Sequence, residues 1–250
     1  MVWYGRGRRV SALADMTVGE VMAELESLGN EQTKKTLLRH GAVEPLFGVK
    51  IGDLKGLRKE LKNDHDIALA LYGTGNSDAM YLAGLIADSE KVTEEELDHW
   101  VNEATWSLIS GTAVAALAAE SRHGLALGRK WIESEKELIA AAGWQTFSHD
   151  LSIADNDGVD TNEIETLLKR VLLEIHTETN EVKAAMNGFL ISAGSYLPEV
   201  TGLAKKLARK IGVVEVNQGD TACNTPNALA YIEKIEKMGR IGKKKRFARC

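Results

Sequence analysis

The feature that most constrains this chain is a repeated unit of apolar helical face, short polar turn and Ala-rich helix. HDIALALY from His65 is echoed by HGLALGRKW from His123. Each is followed by a short acidic or polar turn and an Ala-rich helix, over residues 79–87 in one case and 138–147 in the other. A third Ala-rich stretch, residues 182–193, follows another polar turn. A helical hairpin of this kind cannot bury its own apolar face. Hairpins recurring every ~40–60 residues bury it only by stacking on one another.

The expected fold is therefore all-α, an α-α superhelix of the HEAT-like or ARM-like kind, with one short extended segment and a basic tail near the C-terminus. Composition fits. Hydrophobic residues make up 44% of the 250 but aromatics only 6%, with three prolines, so the interior is built from Ala, Leu, Ile and Val. Three segments are expected: a basic arm over 1–15, a helical repeat domain over 16–239 and a basic tail over 240–250. Thr17 and Glu20 have capping-box spacing, followed by Val18, Val21, Met22, Leu25 and Leu28 on one helical face that Gly29 ends. A second helix runs through Leu37 and Leu38 to Gly41, and a third opens near Asp53. Residues 213–216 form the one strand-like run, as half of a two-strand element or as an extended loop. Thr225-Pro226 is read as opening a last short helix.

Several functions are disfavoured at this level. No stretch approaches the ~20 apolar residues of a membrane span, and no apolar run follows the N-terminal arginines, which points to a cytoplasmic protein without membrane contact. Cys223 and Cys250 lack metal-ligand or disulfide spacing, and the histidines are not paired as ligands, so neither a metal nor an organic cofactor is expected. Asp155, Asp157 and Gly158 echo a calcium loop only in part; a solvated loop capping the next helix at Asp160 or Thr161 is the simpler reading. No nucleophile elbow surrounds Ser110 to make it a hydrolase serine. The charge is uneven. Six of the 31 basic residues lie after residue 239, leaving 25 against 36 acidic ones before it. An acidic body with a basic tail holds nucleic acid only where its cations gather on one face.

Longer blocks carry a resemblance. GVKIGDLKGLRKELKNDHDIALALYGTGNSDAMYLAGLI from Gly48, WVNEATWSLIS from Trp100, AAAGWQTFS from Ala140 and MNGFLISAGSY from Met186 resemble the DNA alkylation repair family of HEAT-like-repeat alkylpurine glycosylases, as do VEVNQGDTACNTP and RIGKKKRFARC nearer the C-terminus. The resemblance implies a curved solenoid that holds duplex DNA on its concave face and excises N3- or N7-alkylated purines. A cationic base is already a good leaving group, so the main task is to stabilise charge developing on the sugar, with a carboxylate and indole faces.

The family's aspartate follows a tryptophan that matches Trp106, but here Ser107, Ser110 and Gly111 stand in its place, with Glu103 and Glu120 the nearest acids. A hydroxyl offers a lone pair without full charge, and losing one such electrostatic group costs ~10²–10³ in rate. On the same resemblance Trp106 and Ser110 take the catalytic positions, and a DNA-contacting arginine aligns with Ala141. Phosphate or DNA contacts fall to Lys183, Asn187, Phe189, Arg209, Lys243, Lys244, Lys245 and Arg246. Asn187 also reads as a buried amide bonded to a neighbouring helix, and Trp106, Trp131 and Trp144 as core. Two functions remain: a duplex-DNA-binding repair protein that excises alkylated purines, or a catalytically lapsed repeat scaffold for a protein or structured nucleic acid.

Overall fold

The computed structural model describes residues 16–61, 63–217 and 224–249, which form thirteen α-helices and no strand. The expectations for the 1–15 arm and for both cysteines lie outside these residues. Helices α1 (Val18–Leu28), α2 (Glu31–Arg39) and α3 (Ile51–Leu61) lead in. The Thr17–Glu20 capping box is formed in both directions, at 2.8 Å and 3.3 Å.

Five helix pairs follow: α4 (His65–Tyr72) with α5 (Ser77–Ile86), α6 (Glu94–Glu103) with a π-helical stretch Leu108–Val114 continuing into α7 (Ala115–Glu120), α8 (Gly124–Trp131) with α9 (Glu137–Ile153), α10 (Thr161–Glu174) with α11 (Asn180–Tyr196), and α12 (Pro198–Ile211) with α13 (Ala228–Lys237). The second members pack on one another in series, α5 on the π-helical stretch, that stretch and α7 on α9, α9 on α11 and α11 on α13. They make an inner layer, with α8, α10 and α12 outside.

Small residues make the inner layer possible. A Cβ on Gly84 would stand 2.6 Å from the Cβ of Ala113, so α5 and the π-helical stretch meet nearly backbone to backbone. Gly143 allows the same between α9 and Ile132. The Ala-rich helices are thus buried nearly all round, as the absence of a polar face in their sequences requires. Two apolar clusters meet at α8 and α9, the first holding Trp100 and Trp131 and the second Trp144, Phe147 and Phe189. The core reading of Trp131 and Trp144 stands. Asp160 caps α10 through the amides of Asn162 and Glu163 (3.0 and 3.2 Å), and the preceding loop is a single 3-10 turn.

Residues 213–216 take the extended-loop alternative, with no strand among the described residues and Val214 buried on the helices. Two other expectations need correction. The last helix opens at Ala228 with Asn227 as its cap, so Pro226 precedes the helix rather than filling its first turn. The second concerns the basic tail, whose residues 240–249 are a strap docked on the helices. They cross the C-terminal ends of the inner helices in reverse order. Gly242 N donates to Ser195 O on α11 (2.9 Å), Lys244 Nζ to Leu151 O and Lys245 N to Ser152 O on α9 (2.8 and 2.7 Å), and Arg249 Nη1 to Gly84 O and Ala87 O at the end of α5 (3.1 and 2.6 Å). Arg249 also pairs with Glu120 at the end of α7. The last carbonyls of a helix lack intrahelical partners and carry its negative dipole end, and a cationic strap meets such carbonyls on α11, α9 and α5 and the Glu120 carboxylate at the end of α7.

Candidate nucleic-acid interface

A cleft of about 480 Å³ opens on the inner layer, lined by α2 (Leu37, Arg39 and the following His40), Trp106 and Ser107 just before the π-helical stretch, Leu108 and Thr112 within it, Gln145 of α9, Glu181 and Ala184 of α11, and Val216 and Asn217. Trp106 keeps 7% of its surface exposed, and its Nε1 is buried without a protein acceptor. The indole therefore offers the cleft an edge, while its bulk anchors the α6 turn in the core.

The π-helical geometry explains the placement. Widening the turn by one residue displaces the backbone carbonyls, and that of Gly111 is met by His149 Nε2 at 3.1 Å. Burial pushes the His149 imidazole down to about 4, with Lys245 adding to that and the Gly111 carbonyl opposing it. The ring is neutral at neutral pH, with Nε2–H donating to the carbonyl.

Glu181 is the one carboxylate among the described residues that line the cleft. Burial raises its pKa, a hydrogen bond with Ser107 lowers it, and Glu137 nearby raises it further. Glu137 also accepts the Glu181 amide at 2.8 Å, helping to cap α11. A protonatable carboxyl thus shares the cleft with the indole, although no acid follows Trp106 in sequence. Sequence reasoning weighed Glu103 for that role, but Glu103 sits in a separate small cavity with Tyr72 and His99. It also missed Arg39 and His40: a basic residue in the last turn of α2 reads as dipole compensation, and nothing in its spacing announces a cleft 67 residues upstream of Trp106.

The other expected site residues scatter. Ser110 is fully buried, its Oγ unpartnered, and does not line the cleft. Phe189 is fully buried against Trp144 (5.3 Å between centroids) and Phe147, so it has no surface to give DNA. Asn187 is 2% exposed and donates to Pro226 O at 3.0 Å, which favours the buried-amide reading, its partner being a loop instead of a helix. Ala141 is buried. Lys183 is half-buried on α11 and stands outside the cleft lining. Arg209 is exposed on outer helix α12, 4.0 Å from Glu233. Lys244 is bonded to Leu151 O, its pKa lowered by burial despite Asp150, whereas Lys243, Lys245 and Arg246 are exposed. No cluster of His, Cys, Asp or Glu among the described residues could hold a metal ion, and no described helix is long and apolar enough to cross a membrane.

Helix pairs stacked into two layers, with a polar cleft on the inner one, define a HEAT-like helical-repeat protein. The chain belongs to the family of DNA alkylation repair enzymes, whose model matches residues 21–202. It is 35% identical over 225 residues to Lmo0209 of Listeria monocytogenes and to Lin0241 of Listeria innocua, in each case covering 88% of this chain and 97% of the relative. Among solved structures it is similar to one described as a new family of proteins related to the HEAT-like repeat DNA glycosylases with affinity for branched DNA structures: 36% identity, TM-score 0.87, covering 94% of this chain and all of the other.

Proposed function

We propose that this chain binds DNA along its inner helical layer, engaging branched DNA in preference to linear duplex, with Trp106 and Arg39 as cleft contacts. The observation that carries the reading is the cleft itself. It sets an indole edge beside an exposed guanidinium on a protein that is otherwise net acidic. An aromatic surface with a nearby cation suits a sugar-phosphate backbone or an unstacked base. The affinity for branched DNA described for the structural relative supports the preference.

Excision of alkylated purines is the second reading, favoured by Glu181. A carboxylate there could stabilise a cationic sugar, but it comes from another helix and not from the position after Trp106 where the resemblance places the acid, so slow excision at most is expected. The test is anisotropy titration of a four-way junction and a linear duplex across salt, beside release of 7-methylguanine and 3-methyladenine from methylated duplex, for wild type and Trp106→Phe. Salt-steep binding that favours the junction and weakens in the variant, with little base release, is the expected result. Strong base release abolished in Glu181→Gln would replace the binding reading with the glycosylase one, and no DNA binding would leave a protein scaffold.

A further inference from the structure

A second cavity, of about 640 Å³, lies where the strap passes α11 and α13. Arg240, Lys243, Lys244 and Lys245 line it, with no acidic residue among the described residues of its lining. Lys244 is committed to the Leu151 carbonyl. The other three are exposed, and no ion pair with a described residue holds them. Three like charges on six residues repel one another, a cost that helix-end compensation does not require: the carbonyls of Ser195 and Ser152 are already met by the backbone amides of Gly242 and Lys245. The floor carries a separate signal. Ser195 is 5% exposed and lines the cavity, yet its hydroxyl has no protein partner. Buried hydroxyls are nearly always bonded, so one left open at a cationic cavity points to an anionic ligand. Tyr196, with Lys245 Nζ 6.0 Å from its ring centroid, and the exposed Tyr231 add aromatic surface.

The cavity shares a face of α11 with the cleft. Glu181 and Ala184 line the cleft, and Gly188, Ile191, Ser192 and Ser195 line the cavity, following at three- and four-residue steps. From Ala184 to Ser195 the helix rises ~16 Å, about five nucleotide steps along one strand.

We propose that this cavity is a phosphate subsite for a DNA strand leaving the cleft, with Arg240, Lys243 and Lys245 on the phosphodiester, Ser195 beneath it and Tyr231 against the adjoining sugar or base. The proposal rests on the DNA-binding reading above. A junction arm diverging from the cleft reaches this subsite, where a straight duplex end does not need to.

The test compares wild type, Arg240→Gln/Lys243→Gln, and Lys130→Gln/Lys169→Gln, which removes the same charge from outer helices α8 and α10. Each is titrated by anisotropy against a four-way junction and a linear duplex over a salt series, with thermal melting to check folding. The strap double variant is expected to lose about tenfold in junction affinity, and its log K against log salt slope to shallow by roughly 0.9 for each phosphate no longer neutralised. The outer variant should match wild type. Equal behaviour of the two variants overturns the subsite while leaving wild-type DNA binding intact. If wild type shows no salt-sensitive binding at all, the DNA-binding reading fails first, and the subsite with it. Junctions with and without 5′-phosphates separate the ligand sources: a loss confined to 5′-phosphorylated junctions overturns the internal phosphodiester in favour of a strand end.

Discussion

Arg249 and Glu120, 129 residues apart, form a buried bidentate pair: Nε and Nη2 of the arginine lie 2.8 and 2.7 Å from one carboxylate oxygen, and the arginine amide donates to the other at 2.8 Å. Arg58 closes the cluster by donating to the Arg249 carbonyl at 2.7 Å. This knot fastens the strap to the ends of α5 and α7. Removing one member of a buried pair leaves the other charge uncompensated, at about 3–5 kcal/mol. Arg249→Met should lower the melting temperature by roughly 10 °C. A shift under about 2 °C would mean that the strap contributes little.

Glu181→Gln separates the two readings of the cleft. On the DNA-binding reading, removing a negative charge from the cleft should tighten junction binding by about 1 kcal/mol at low salt, roughly fivefold. If excision occurs, the same change should slow it by ~10²–10³. Weaker binding would show that the carboxylate holds its neighbours in place and does not oppose the phosphates.

Ser110→Ala removes a fully buried hydroxyl with no partner. Such a group carries a desolvation cost without a compensating bond, so the variant should be neutral to about 1–2 kcal/mol more stable in denaturant melts. Junction affinity should not change. A loss of base release in this variant would restore Ser110 to the site.

His149 and Asp150 give opposite pH dependences from adjacent positions. Burial holds His149 down to about 4 and pushes Asp150 up to about 6, against the attraction of Lys244 and Arg129. A histidine whose folded pKa is depressed contributes stability above its unfolded value near 6.5, which is lost as pH falls from there towards 4. A carboxyl whose folded pKa is raised stays protonated in the folded chain above its unfolded value of 3.8, so stability falls as pH rises from 3.8 to 6. Asp150→Asn should unmask the histidine, giving stability that climbs between pH 4 and 6.5 at up to about 1.4 kcal/mol per unit, steeper than wild type. Equal slopes in urea melts would contradict this.

The helical layout was legible in sequence because it is set locally. Capping boxes, acidic first turns and three- and four-residue apolar spacing place α1, α4 and α10 within a residue or two, since each signal acts within one turn. The Ala-rich stretches likewise announced α5, α9 and α11 as helices. The site was only half legible. Trp106 carried a resemblance over a long block, whereas Phe189 and Asn187 looked like contacts because a helical sequence does not say which flank of a buried helix meets another helix and which meets solvent.

The amino-acid sequence by itself determined that the chain would be a stack of helical hairpins of the alkylation repair family, and that the expected acid after Trp106 is missing. Only the tertiary structure decided that Glu181 and Arg39 share a cleft with that indole, and that the basic C-terminus is a strap with a cationic cavity behind it. The physical reason is range. Helix formation is read within about four residues, but the carbonyls that draw in Lys244 and Arg249 belong to helices 93 to 165 residues away. Those ends come together only once the hairpins have stacked.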